Sequence, residues 1–237
     1  MEPTCKIAPI NSVVVRERAR LSILCNKFGV ENLQQGEHGL ALQQFERAAR
    51  HLCEIAHVFS NNNMPSSNAW CCRHSGMHFS KDGSSIPKGD SFICSSPIVI
   101  DANADNSVSY ETYILHSAAI LYNMGLTYHL SSMRPYGAMD GAFSNAMNIY
   151  EMAYGLGLQV SQHESRSSQM IVMAALNNLG ELHREYGDFS TSKVYLEDLS
   201  TYITSLGDAL ELEDAIQRNE FMLNAMVLTA SHGAAAA

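Results

Sequence analysis

Three stretches of this sequence repeat the same order of residue types, and this repeat constrains the fold more than any other feature. In each stretch a large apolar residue precedes a glycine, and small and large apolar residues follow at helical spacing. The stretches read NKFGVENLQQGEHGLALQQFERA, LYNMGLTYHL with NAMNIYEMA, and ALNNLGELHREYGDF. Self-similarity of this kind indicates helical hairpins that are too small to be stable alone and that stack on a shared core.

Helical periodicity and glycine or proline breaks divide the chain into segments. The predicted divisions are an N-terminal extension over 1–11, a first hairpin over 12–59, an insertion over 60–109, two further hairpins over 110–206, a C-terminal helix over 208–230 and a tail over 231–237. Inside the two later hairpins, helices are expected over about 110–133, 139–156, 165–186 and 189–206. The run Gly155-Leu156-Gly157 is predicted to end the second of these helices.

The insertion over 60–109 has a different composition from the rest. Roughly half of its residues are Ser, Asn, Gly or Pro, which is typical of a long loop. We therefore expect a loop that is partly disordered and mobile. Its one apolar run, Pro97-Ile98-Val99-Ile100, is predicted to form a short strand or a plug that docks on the helices.

Small residues in the repeat predict where the two helices of a hairpin cross closely. The predicted pairs are Gly29 with Ala41, Gly125 with Ala146, and Gly180 with Ser192. Phe28 and Phe45, or Met124 and Tyr150, are expected to fill the gaps beside these crossings. In the last helix, Leu212, Ala215, Ile216, Met222, Leu223 and Met226 are expected to form one buried stripe.

The order large apolar residue, Gly, aromatic, Ala, aromatic, Ala resembles the tetratricopeptide repeat (TPR) family over 22–59 and 110–206. The resemblance implies an all-α fold, a right-handed superhelix of TPR-like helical hairpins. Here it would carry a long loop insertion and a C-terminal capping helix. The sequence departs from the family pattern at Ser192 and Leu199, where alanine is usual, and in a longer second turn over 131–141.

Members of this family bind a peptide or a partner helix along the concave face, so the resemblance implies a binding groove on the first helix of each hairpin. The candidate groove residues flank the three glycines: Asn26, Val30, Leu33, Tyr122, Asn123, Leu126, His129, Asn177, Asn178, Glu181 and Arg184. The side-chain amides of Asn123 and Asn177 suit an extended peptide backbone, because each offers a donor and an acceptor. A structural role for these asparagines, as helix caps or solvated side chains, is the alternative.

The function that follows is a non-catalytic protein–protein interaction scaffold or adaptor. The alternative is a regulatory or sensor subunit in which the 60–109 insertion supplies a ligand, metal or modification site. A subset of the TPR family binds acidic chaperone tails through Lys, Arg and Asn. Asn26, Val30, Ala174 and Asn178 stand where other residues of that set are expected and only Asn123 fits, so chaperone-tail binding is not expected.

Charge and hydropathy argue against two classes of partner. The formal net charge is −9 and no Lys/Arg cluster is present, which disfavours nucleic acid. No window of 18 apolar residues occurs, so no membrane span is expected. Six cysteines in a chain of this length are not a disulfide scaffold, and the cytoplasm or nucleus is the expected compartment.

Motifs for cofactors and catalysis are weak. Cys71, Cys72, His74 and His78 are metal-ligand types, but adjacent cysteines rarely reach one ion, so no metal site is predicted. The run Asp101–Asp105 resembles half of a calcium loop and is interpreted as a turn before a helix. No phosphate loop and no nucleophile elbow occur in the sequence, so neither a cofactor nor an enzyme activity is predicted.

Overall fold

The computed structural model describes residues 9–61, 77–80, 94–101, 109–134, 139–161, 166–206 and 219–228. In this part of the chain the protein is predominantly helical, as predicted. The helices are α1 (Pro9–Gln34), α2 (His38–Asn61), α3 (Tyr110–Ser132), α4 (Ala142–Ser161), α5 (Arg166–Glu185), α6 (Phe189–Leu206) and α7 (219–228). Two strands, β1 (Met77–Phe79) and β2 (Ile98–Ile100), form one small sheet.

A glycine with a positive φ follows the first helix of the first and third hairpins. Gly36 has a φ of 77° and Gly187 a φ of 82°, a conformation that costs glycine little. At the first turn, Gly36 N donates to Leu33 O and Glu37 N donates to Asn32 O. The same two bonds recur after α5, so both turns are Schellman motifs that satisfy the last carbonyls of the helix.

The spacing shared by the three repeats brings each hairpin glycine against a large side chain of the second helix. A Cβ on Gly125 would lie 2.8 Å from the ring of Tyr150, and a Cβ on Gly180 would lie 2.8 Å from Leu196. Ser192 Oγ also donates to Gly180 O at 2.7 Å, which joins one of the predicted pairs. Phe28, in contrast, is 46% exposed, so its prediction as a gap-filling residue is wrong.

Each helix packs against the next one in the chain from α1 to α6, and α3 also contacts α1 and α5. The helices α1, α3 and α5 therefore lie side by side, and α2, α4 and α6 each pack against members of this row. The core contains buried apolar residues from all six of these helices, with Phe45, Tyr122 and Tyr150 among the largest fully buried side chains. None of the described helices has both the length and the apolar character needed to cross a bilayer.

The last described helix, α7, buries a different stripe from the predicted one. Phe221, Ala225 and Leu228 are buried, whereas Leu223 and Met226 are each 60% exposed. Met222 is half-buried and accepts a long hydrogen bond from Ser200 Oγ of α6. The prediction is therefore wrong for Leu223 and Met226, because the face of α7 that packs on the other helices is the one with Phe221, Ala225 and Leu228. Residues 208–218, with the rest of the predicted stripe, lie outside the described residues.

Three helix boundaries differ from the predictions by three residues or more, and one of them is the start of α4, at Ala142 rather than about 139. Helix α1 begins at Pro9, inside the predicted N-terminal extension. Helix α4 continues to Ser161, so Gly155-Leu156-Gly157 does not end it. Neither glycine has a positive φ, and Gly157 is buried against Val172 of α5. Close packing between α4 and α5, rather than a helix end, accounts for this glycine.

The two glycines of α4 are expected to respond in opposite ways to alanine. Gly155→Ala should stabilise the fold by about 0.5–1 kcal/mol, because alanine is the better helix former and nothing lies near the new Cβ. Gly157→Ala should destabilise it by about 1–2 kcal/mol, because the new Cβ would lie 2.9 Å from Val172 Cγ2. Urea unfolding of the two variants checks this; equal effects would contradict the packing role of Gly157.

A buried histidine on α3 predicts a pH dependence of stability. His116 is 3% exposed, and within the described residues neither ring nitrogen has a hydrogen-bond partner. Burial lowers the pKa of His116 from 6.5 to about 4. Protonation therefore favours the unfolded chain, and the stability present above pH 6.5 is lost as the pH falls from 6.5 towards 4.

We expect unfolding at pH 5 to cost about 2 kcal/mol less than at pH 7.5 through this group alone. His116→Leu should remove that part of the slope, whereas the matched change His57→Leu, at an exposed position of α2, should leave it unchanged. Urea unfolding at the two pH values makes the comparison. An unchanged slope in a folded His116→Leu variant would contradict the assignment.

Candidate peptide-binding face

The inner face of α1, α3 and α5 is covered by a segment of the chain's own insertion. Residues 94–101 run across these helices in extended form and end in β2, which contacts both α1 and α3. Strand β1 pairs with β2 in antiparallel register, with Phe79 opposite Ile98 and Met77 opposite Ile100. The predicted strand or plug at Pro97–Ile100 is thus confirmed as a strand that docks on the helices. The other described part of the insertion, 77–80, holds β1, and its remainder lies outside the described residues.

Asn123 of α3 binds the backbone of Ile98 through both the oxygen and the nitrogen of its side-chain amide. Its Oδ1 accepts from Ile98 N at 2.8 Å, and its Nδ2 donates to Ile98 O at 2.8 Å. Asn26 of α1 adds a second donor to the same carbonyl at 3.1 Å, and its Oδ1 accepts from Asn123 Nδ2 at 3.0 Å. The two amides together replace the hydrogen bonds that a neighbouring strand would give Ile98.

Asn178 of α5 repeats this arrangement four residues earlier in the segment. Its Oδ1 accepts from Cys94 N at 2.8 Å, and its Nδ2 donates to Cys94 O at 3.1 Å. The hydroxyl of Tyr122 also donates to Cys94 O at 2.8 Å. We call Asn123 and Asn178 the two amide clamps. Both side chains are fully buried, so the clamps are made where an unpaired peptide group would be costly.

Tyr150 of α4 contacts Asn178 and helps to hold the second clamp in place. Its hydroxyl accepts from Asn178 Nδ2 at 3.1 Å, and its ring packs on Tyr122 with centroids 5.8 Å apart. Burial raises the pKa of both tyrosines well above 10, so both hydroxyls stay protonated. Because Gly125 packs on the same Tyr150 ring, the helix crossing and the clamp depend on one side chain.

Side chains of the docked segment alternate between the helices and the outside. Ile98 and Ile100 are buried at 1% and 3% exposure, and Phe79 of the paired strand is buried beside Tyr122. His78 and Val99, opposite each other in the sheet, lie on its other face and are more exposed. This alternation is that of a strand with one buried face.

The remaining predicted groove residues are held by other partners. Val30, Leu33 and Leu126 are buried in the core, and His129 lies 3.3 Å from Glu185. Asn177 Oδ1 accepts from Asn224 of α7 rather than from the segment. Glu181 is fully buried and pairs with the half-buried Arg184 at 2.6 Å. Among the predicted residues, Asn26, Tyr122, Asn123 and Asn178 hydrogen-bond to the segment.

Two contributors were not predicted. Gln34, at the end of α1, donates to Ser80 Oγ at 2.6 Å and holds β1 against the helix. Tyr150 was assigned only to filling space, and its hydroxyl contact with Asn178 carries no signal in sequence spacing. Gln34 lies one residue beyond Leu33, which was predicted, so a longer window after each glycine would have included it.

Metal-ligand types do not gather in the described part of the chain. His78 lies 3.6 Å from Asp101, with both side chains about half exposed, and no group of three or more His, Cys, Asp or Glu suited to a metal occurs among the described residues. Cys71, Cys72, His74 and residues 102–105 lie outside them. Where the helix after Asp101 begins, Ser109 Oγ caps α3 by accepting from Thr112 N at 3.0 Å.

Comparison with known proteins gave no relative from which a role could be carried over: no family model, curated protein or solved structure matched the chain. The function must therefore be argued from the inner face itself.

Proposed function

We propose that this chain is a non-catalytic protein–protein interaction scaffold that binds an extended peptide segment of a partner on the inner face of α1, α3 and α5. The observation that carries the proposal is the pair of amide clamps, because each binds both the N–H and the C=O of one residue of an extended chain. The hairpins and glycine crossings support a TPR-like superhelix as the scaffold, in line with the resemblance of the repeats.

The clamps suit a peptide because they recognise backbone, which every segment has. Asparagine presents a donor and an acceptor in one plane, so a single side chain can pair with one residue as a strand would. Two clamps set four residues apart also fix the direction and register of the bound segment. Preference among sequences would come from the apolar sites that Ile98 and Ile100 now fill.

The docked insertion also bears on the alternative function, that of a regulatory subunit. The insertion occupies the same helices that would hold a partner, so a regulatory role and a binding role would share one surface. The described part of the insertion is therefore an occupant of the peptide-binding face rather than a separate ligand site.

A selection from a displayed library of random eight-residue peptides tests the proposal. The bait is the full chain carrying Ile98→Ser and Ile100→Ser, because these changes remove the two apolar anchors of the chain's own segment. Enriched peptides should carry apolar residues two apart. They should bind at least tenfold more weakly, by fluorescence anisotropy, when the bait also carries Asn123→Ala and Asn178→Ala.

The matched control is Asn32→Ala in the same bait, since the side chain of Asn32 donates to the carbonyl of Phe28 in its own helix and not to the segment among the described residues. It should leave peptide affinity unchanged. A folded bait that enriches no peptide, or peptides whose affinity ignores the Asn123 and Asn178 substitutions, would exclude the inner face as the binding site.

A further inference from the structure

We propose that residues 94–101 are a built-in competitor on the peptide-binding face. We also propose that the partner displacing them is a different protein presenting an extended segment of the same pattern. In that pattern, a first residue bound through its backbone, as Cys94 is, precedes by four positions a second such residue, as Ile98 is. An apolar side chain follows two positions after the second, where Ile100 lies. This inference rests on the proposed function and adds the class of partner and the regulation of the site.

The first support is that the segment is bound as a ligand would be bound. Its two clamped residues, Cys94 and Ile98, each give both backbone groups to a side chain of the helices rather than to another strand. Antiparallel pairing with β1 covers one edge of the segment, and the helix side chains cover the other. A partner segment could therefore take the same clamps without any change in the helices.

The second support is the chemistry of the buried side chains. Ile98 and Ile100 point to the helices, Pro97 is buried, and Val99 faces away. Apolar residues at alternate positions are what an extended partner must offer to replace them. Tyr122 and Phe79 form an aromatic wall beside Ile98, with ring centroids 6.4 Å apart, so a branched or aromatic residue suits that position.

The third support is that the docked sheet has little stability of its own. It has two strands of three residues each, and an isolated two-stranded ribbon of this size is marginal in water. Its order therefore depends on the helices, which defines a docked and an undocked state of the same chain. A partner that binds only the undocked state shifts this equilibrium towards it.

A tethered segment has an advantage over a free one. The tether gives residues 94–101 a high effective concentration at the helices, so a free peptide of the same sequence must compete against it. Weakening the tethered copy should then raise the affinity for the free copy, although the helices are unchanged.

The test is the binding of a fluorescent peptide with the sequence of residues 94–101, carrying Cys94→Ser, to three full-length proteins of confirmed folding. We expect the Ile98→Ser/Ile100→Ser protein to bind it at least tenfold more tightly than the wild type. Adding Asn123→Ala and Asn178→Ala should abolish that gain. Equal affinity for the wild type and the Ile98→Ser/Ile100→Ser protein would overturn the competitor role and leave the proposed function standing.

The results also distinguish loss of the competitor role alone from loss of the proposed peptide-binding function. If this peptide does not bind the folded Ile98→Ser/Ile100→Ser protein but library peptides do, only the competitor role is lost. If neither binds, the peptide-binding face itself is excluded. A dimer of the wild type that these serine substitutions abolish, measured by light scattering, would make a second copy the occupant and overturn the assignment to a different protein.

A second measurement uses the wild type alone, in case the serine variant does not fold. Cys94 is held by Asn178 and Tyr122, so displacement should expose its thiol. Excess free peptide carrying Cys94→Ser should speed alkylation of Cys94 by iodoacetamide at least threefold, read by mass spectrometry of the digested chain. Cys53, exposed on α2, is the internal control and should react at an unchanged rate. An unchanged rate at Cys94 under saturating peptide would overturn the proposal.

Discussion

Replacing both amide clamps by alanine is expected to lower the free energy of unfolding by about 4 kcal/mol, because each replacement leaves one backbone N–H of the segment without its acceptor and removes a partner of one buried helix side chain. Asn123→Ala removes the acceptor for Ile98 N and leaves Asn26 Oδ1 without its donor. Asn178→Ala removes the acceptor for Cys94 N and the donor to Tyr150. The double substitution should cost less than the sum of the two single substitutions, since one segment joins both sites.

Urea unfolding followed by circular dichroism measures this effect. Asn123→Asp should cost at least as much as Asn123→Ala, because it would bury an unpaired carboxylate and place an acceptor oxygen where Asn123 Nδ2 now donates to Ile98 O. Asn32→Ala, outside the segment, should change stability by less than about 0.5 kcal/mol. A double variant within about 1 kcal/mol of wild type would mean that the clamps contribute little.

Gly125→Val is expected to destabilise the fold by about 3 kcal/mol or more, because a Cβ at this position would lie 2.8 Å from Tyr150 Cδ1. Tyr150 is fully buried between Tyr122 and His129 and cannot move aside without losing its contact with Asn178. The change should therefore weaken both the crossing of α3 with α4 and the second clamp.

A double-mutant cycle on the smaller change, Gly125→Ala, tests whether contact with the Tyr150 ring causes the loss of stability. Tyr150→Leu creates space beside Gly125, so adding it to Gly125→Ala should cost clearly less than the sum of the single changes. Gly39→Ala, at the start of α2 with nothing near its Cβ, is the matched control and should be neutral or slightly stabilising. Strict additivity in thermal unfolding would contradict the close crossing.

Most helix positions followed from the sequence because glycine marks the turns that this fold needs. Gly36 and Gly187 adopt a positive φ where the turns were predicted. The same rule failed at Gly155 and Gly157, because a glycine can also lie inside a helix, for example where a neighbouring helix packs closely against it. Nothing local distinguishes a glycine that ends α4 from one that makes room for Val172 of α5.

The inner-face residues were predicted by their distance from each glycine, and their partner was not. Asn178 and Cys94 are 84 positions apart, and Asn26 and Ile98 are 72 apart, so no periodicity links them. The sequence signalled only that Pro97–Ile100 is apolar inside a polar insertion. Which helix side chains pair with which backbone groups depends on the path of the insertion across the helices, which composition does not determine.

Exposed faces were the least predictable part of the fold. Apolar residues such as Met226 and Phe28 share the helical periodicity of buried neighbours but lie on the other side of their helices. A period of 3.6 residues places two stripes of such residues almost equally well in a short helix. The choice between them comes from the neighbouring helix, which is a tertiary contact.

Hydrogen exchange of two backbone amides, measured by NMR, tests most directly whether the inner face binds extended backbone. The amides of Ile98 and Cys94 should be protected in the wild type, because they donate to Asn123 Oδ1 and Asn178 Oδ1 respectively. Each should lose its protection in the variant that removes its own clamp, while amides in the middle of α3 stay protected. Exchange of Ile98 and Cys94 in the wild type at the rate of an unstructured peptide, with α3 protected, would contradict the account.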